Sequence, residues 1–253
     1  PLAWSADGKY LYFNSDRNGS MDIFRQAIDS ENPELVVGGE DRQTNGVLSP
    51  DGQSMIYFQQ EAKAPMGHGR LMSVPVGGGG NPKEILSTES WSGHNCRPAG
   101  CILQEQTPTD ERVVYDLDPE KGKGAEILRR PSRTGGMEVE MSKDGRQLAY
   151  FSGESGIRIV ERSSGRTIRE IPVKGARFQR SLEWASDGKS FYVGAEVIGS
   201  GATLMNVGMD GESRKLWQQP GSRHIYAIPS PDGKRLAMLG STIDANVWLM
   251  ENF

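Results

Sequence analysis

The sequence predicts an all-β fold, a six-bladed β-propeller with four-stranded blades. Three observations predict it. A short phrase recurs along the chain, its spacing is nearly constant, and glycine is in excess, with 32 of 253 residues against a usual share of about 7%. The phrase is an apolar stretch, then Ser-x-Asp-Gly, a polar pair and a second apolar stretch. It occurs at Ser5-Ala6-Asp7-Gly8, Ser49-Pro50-Asp51-Gly52, Ser142-Lys143-Asp144-Gly145, Ala185-Ser186-Asp187-Gly188 and Ser230-Pro231-Asp232-Gly233.

The anchoring glycines at 8, 52, 145, 188 and 233 are separated by 44, 93, 43 and 45 residues. The double gap hides a degenerate copy, Cys96-Arg97-Pro98-Ala99-Gly100-Cys101, which restores an even spacing. Six copies of about 42 residues match the period of propeller blades, whereas a β-sandwich shows turn signals without a long fixed period.

Within each copy the Asp-Gly pair turns the chain from the first strand into the second, because Asp and Gly supply local hydrogen bonds and positive-φ tolerance. Third strands are expected at 22–25, 157–160 and 246–249. Fourth strands are expected at 34–37, 83–86, 126–128, 167–169 and 215–217. The blades then cover 1–37, 45–86, 94–128, 137–171, 180–217 and 225–253 of a single domain. The last blade lacks its outer strand in this fragment. Residues upstream of Pro1 would supply it, which implies the C-terminal part of a longer protein. On the first strands, Trp4, Leu48, Met141, Trp184 and Pro229 fall at equivalent positions and are assigned to packing between blades, as are Phe24 and Trp248 on third strands.

Charge narrows the function. With 29 basic and 33 acidic residues the net charge is −4, which argues against nucleic-acid binding by this domain. No apolar run reaches the roughly 18 residues of a membrane span, and the residues from Pro1 onward do not read as the n-region and h-region of a signal segment.

The run Trp4-Ser5-Ala6-Asp7-Gly8-Lys9, with Phe13-Asn14-Ser15-Asp16-Arg17-Asn18-Gly19 and Asp22-Ile23-Phe24, resembles the WD40-like (PD40) repeat of TolB-like propellers. The closing run 230–253, the Cys96 and Cys101 pair and the segment 118–124 are similar to C-terminal TolB-like regions of large multidomain bacterial proteins. Such proteins carry an N-terminal serine/threonine kinase or winged-helix domain, often with a membrane segment between. The resemblance implies a non-catalytic binding or sensor module of a bacterial signalling or regulatory protein, monomeric and without cofactor. It places the module outside the cytoplasm, tethered through an upstream membrane segment. Two alternatives keep the fold: the gating propeller of a prolyl-oligopeptidase-like hydrolase, and a propeller enzyme with a metal at channel carboxylates.

Cys96 and Cys101 flank the turn of the third copy, where Asp-Gly is missing. Residues facing each other across such a hairpin have Cα atoms about 4.5–5.5 Å apart, which suits a disulfide; two reduced core cysteines are the alternative. His68, His94 and His224 lack the spacing of a zinc site, and no metal is expected. Glu138, Glu140 and Glu183 are the carboxylates that inner strands would bring to the channel.

The strongest functional signal is charge placement. Loops from each fourth strand to the next first strand open on one face. Three of them, 129–136, 172–180 and 218–224, hold Arg129, Arg130, Arg133, Lys174, Arg177, Arg180 and Arg223 and no acidic residue. Clustered arginine suits carboxylate or phosphate contacts, so a protein segment or anionic small ligand is expected at this channel mouth. His224, Trp91 and His94 are expected beside it as aromatic contacts.

Overall fold

The repeated phrase builds the same hairpin each time. Ser5 Oγ donates to Asp7 Oδ1 at 2.6 Å, and the same carboxylate oxygen accepts the Lys9 N–H at 3.1 Å. Tyr10 N–H donates back to Ser5 Oγ at 2.9 Å, and Gly8 closes the turn at φ +68°. The same set recurs around Ser49 and Asp51, Ser142 and Asp144, and Ser230 and Asp232. Donation by the serine hydroxyl, then by the backbone N–H, holds all four carboxyls below the usual range. In the fifth copy Ala185 replaces the serine, and Asp187 keeps only the N–H of Lys189 among these bonds.

A computed structural model describes residues 3–77, 80–132, 139–153, 156–173, 177–197 and 201–242. The first sheet holds β1 (Ala3–Trp4), β2 (Tyr10–Ser15), β3 (Asp22–Ala27) and β4 (Glu34–Val37). The second holds β5 (Arg42–Leu48), β6 (Ser54–Gln60), β7 (Gly69–Pro75) and β8 (Lys83–Thr88). The third holds β9 (Trp91–Arg97), β10 (Gly100–Gln106), β11 (Glu111–Asp118) and β12 (Gly122–Pro131). The fourth holds β13 (Val139–Met141), β14 (Gln147–Phe151), β15 (Gly156–Glu161) and β16 (Thr167–Pro172). The fifth holds β17 (Arg177–Trp184), β18 (Ser190–Val197), β19 (Gly201–Gly208) and β20 (Ser213–Gln219). In each, consecutive strands pair antiparallel as a meander. A last pair, β21 (Ser222–Pro229) and β22 (Leu236–Thr242), forms a two-stranded sheet.

The architecture is therefore an all-β propeller with five four-stranded blades and a two-stranded sheet among the described residues, where the repeat count predicts six blades. The third strand expected at 246–249, with Trp248, lies outside the described residues.

The sheets pack face to face, and alternation along each strand sends apolar side chains into the gaps between them. Tyr12 and Ile23 meet Met55 and Tyr57 between the first two sheets. Ile56 and Leu71 meet Leu103 between the second and third, and Ile102 and Val114 meet Leu148 between the third and fourth. Phe151 and Ile157 meet Leu182 and Phe191 across the next gap. Leu204 meets Ile225 against the two-stranded sheet.

The two-stranded sheet also abuts the first. Trp4 Nε1 donates to Ile228 O at 3.1 Å, repeating the bond from Trp184 Nε1 to Glu140 O at 3.3 Å between the fifth and fourth sheets. The turns touch in sequence as well. A Cβ on Gly52 would lie 3.8 Å from Ala6, and one on Gly8 would lie 3.8 Å from Pro231.

Ala185→Ser restores the missing hydroxyl of the fifth turn. It is expected to stabilise the protein by about 1 kcal/mol, a rise of roughly 2–4 °C in melting temperature. Ser142→Ala is expected to lower it by a similar amount; thermal denaturation of both variants checks the pair.

Candidate functional site

The third copy departs from the repeat, and its departures meet at the axis. Counting back from the turn glycine, Arg97 stands where four of the other copies place the anchoring Ser, and Ala99 stands where all five place Asp. In place of that anchor, Cys96 and Cys101 are cross-strand partners joined by a disulfide, with Cα atoms 4.1 Å apart.

Freed from the turn, Arg97 reaches across the channel end. Its Nη2 lies 2.5 Å from Glu183 Oε1 on β17 and 3.2 Å from Glu140 Oε2 on β13, and its Nε donates to Met141 O at 3.2 Å. Asn95 Nδ2 donates to the same Glu140 oxygen at 2.8 Å. Burial pushes the Glu183 carboxyl up, against the pull of Arg97. Burial also pulls the Arg97 guanidinium down, but the two carboxylates more than offset this and hold it above its ordinary value. The Arg97 guanidinium thus sits between the two carboxyl groups.

These residues belong to one layer. Five residues before each turn glycine come Ala3, Val47, Asn95, Glu140, Glu183 and Ile228. Three apolar side chains thus occupy one side of the channel and three polar ones the other. All but Glu140 line a cavity of about 430 Å³, together with Trp4, Trp184, Arg97 and the prolines 50, 98, 229 and 231. Volume and lining match a small-ligand site, an apolar wall with a few convergent polar groups.

This cavity opens among the Ser-x-Asp-Gly turns. The first strands run from the basic loops toward these turns, so the mouth expected from sequence lies at the opposite end. There the expected ring is altered. The outer strand of the third sheet continues to Pro131 and carries Arg129 and Arg130 on opposite faces. Arg129 faces outward and is bound to Glu111 at 3.0 Å and Glu126 at 2.7 Å. Arg130 faces inward and is only 5% exposed, so it is not a surface contact.

Trp91 and His94 likewise lie on β9 rather than in a loop. Trp91 stacks on Phe58 at 4.1 Å, and His94 is buried. His224 is half-buried on β21, and Arg177, Arg180 and Arg223 fall on the strands β17 and β21. The side chains of those three arginines, and Arg133, Lys174 and Glu138 entirely, lie outside the described residues. His68 borders a separate polar recess with Glu89 and Lys123. Among the described residues no group of three His, Cys, Asp or Glu is placed to hold a metal ion.

The sequence matches no protein-family model and no curated protein. Solved structures do match. A putative TolB from Agrobacterium tumefaciens superposes with a TM-score of 0.70 at 18% identity, over 95% of this chain and 89% of that one. TolB from Acinetobacter baumannii gives 0.69 at 15% identity over 92% of this chain. The chain has the TolB-like propeller fold. It spans 64% of the Acinetobacter chain's length. An oligogalacturonate lyase in complex with manganese shares the fold too, with a TM-score of 0.63 at 16% identity over 96% of this chain and 70% of that one. Among the described residues no helix is long and apolar enough to cross a membrane.

The histidine beside the cavity wall makes a pH test. His94 Nε2–H donates to Ile56 O at 3.2 Å, which leaves Nδ1 to accept the Trp91 indole N–H at 3.3 Å. Burial lowers the His94 pKa to about 4, below the roughly 6.5 of an unfolded chain. The unfolded state therefore binds the extra proton first. This contribution is complete above about pH 6.5 and is lost as the pH falls to about 4. His94→Gln is expected to flatten the stability profile across that window, read by urea denaturation at each pH.

Proposed function

We propose that the chain is a non-catalytic binding propeller that takes a protein segment or small ligand into the cavity at the turn end of the channel. The observation that carries this reading is the split lining of the cavity, apolar on the Trp4, Val47 and Ile228 side and hydrogen-bonding on the Asn95 and Glu183 side. A ligand with one apolar and one polar edge fits both halves. Arg97 supports the non-catalytic part of the reading. It already occupies the space between Glu140 and Glu183, the two carboxylates that a metal-dependent enzyme of this fold would use here.

In this reading the two-stranded sheet begins a sixth blade, since its turn and its bond to Trp4 repeat those of the complete blades. The module serves a larger bacterial signalling or regulatory protein. The disulfide supports a site outside the cytoplasm, where such bonds persist.

Ligand screening by the indole N–H resonances of Trp4 and Trp184 tests the site. Ligands found on the unmodified chain are expected to weaken at least about tenfold, or 1.4 kcal/mol, when Ala6→Trp and Pro98→Trp crowd the cavity rim. They are expected to bind normally when Arg177, Arg180 and Arg223 are reversed to Glu. The opposite pattern would move the site to the basic loops.

A further inference from the structure

A second charged cluster lies apart from the cavity and plays no part in it. Arg112 on β11 and Arg130 on β12 are direct cross-strand partners, so their side chains leave the third sheet on the same face. That face packs against the fourth sheet, where Arg130 Cζ lies 4.9 Å from the centroid of the Tyr150 ring. Arg112 is 3% exposed and Arg130 5%. Like charges placed directly opposite one another destabilise a sheet, and a buried charge is costly unless it is paired.

Two carboxylates of this hairpin are engaged away from Arg112. Glu111 and Glu126 both bind the outward-facing Arg129. Asp110, the acid whose charge reaches Arg112, accepts Gln106 Nε2 at 3.0 Å. Among the described residues Arg112 makes no ion pair. Its Nη2 donates to Gln106 Oε1 at a long 3.4 Å, and its Nε and Nη1 are buried without a hydrogen-bond partner. Burial lowers the pKa of both groups, and repulsion from Arg112 helps bring Arg130 to about 10. Buried charged donors such as those of Arg112 are seldom left unused in a folded protein.

We propose that Arg112 and Arg130 form a binding site for a small oxyanion, a carboxylate or phosphate group held between the third and fourth sheets. The Arg112 guanidinium offers planar donor pairs that match either group, Arg130 stands beside it across the hairpin, and a bound anion offsets the charge of Arg112. The pair lies one residue from the open end of the β11–β12 hairpin, at the loop end of the ring. The site is thus distinct from the cavity among the turns, and neither reading depends on the other.

The test compares thermal unfolding of the whole chain in sodium chloride, phosphate and malonate at matched ionic strength. An anion that binds only the folded state raises the melting temperature with its concentration. The expected result is a rise in phosphate or malonate over chloride that is absent in Arg112→Gln. A rise in phosphate alone assigns a tetrahedral oxyanion, and a rise in malonate alone assigns a carboxylate. No rise in either, or an equal rise in Arg112→Gln as from general salt exclusion, overturns the proposal. Should Arg112→Gln fail to fold, equilibrium dialysis of the unmodified protein with labelled phosphate and labelled malonate decides. One equivalent of either retained supports the site, and none of both rejects it.

Discussion

Arg97 holds Glu140 and Glu183, from two neighbouring sheets, at one end of the channel. Two carboxylates brought together in a buried layer repel each other and favour protonation or a bound cation. The guanidinium supplies that cation from within the chain. Removing it would strand two buried acids, a loss on the order of 3–5 kcal/mol. The same group ties the third, fourth and fifth sheets together through the Met141 carbonyl and the two acids. It also forms part of the polar lining of the cavity. The packing of these sheets, the charge state of the channel and the shape of the candidate site all rest on it.

The blade pattern was legible because its cause is local. The bonds among Ser49, Asp51 and Gln53 lie within a few residues and recur wherever the same letters do. A hairpin anchored in this way sets the register of the strands on either side, and the alternation of apolar residues then follows. The disulfide was legible as one of two alternatives, since the missing Asp-Gly singled out the hairpin that Cys96 and Cys101 flank. The prediction of inter-blade packing holds at Trp184, which is buried and donates its indole N–H to Glu140 O of the fourth sheet at 3.3 Å.

The site was less legible. Glu140 and Glu183 were recognisable as channel carboxylates, but their partner was not, because Arg97 is distant from both in sequence and joins them only through the ring. A signal existed: Arg97 replaces the serine of the repeat, and positions that break a local rule often serve a function. The basic loops misled for a different reason. Loop composition does not say where a strand ends, and three more residues on β12 turned Arg130 inward and left Arg129 facing Glu111 and Glu126. Arg112, the second residue of β11 and unremarkable in sequence, became notable only through its register opposite Arg130.

The central claim is that the channel carboxylates are already satisfied by Arg97 and take no metal. Titration of the protein with manganese at neutral pH, with free Mn(II) read by electron paramagnetic resonance, tests it most directly. The account predicts that free manganese equals total manganese throughout. Uptake of one equivalent that disappears in Glu183→Gln would contradict it.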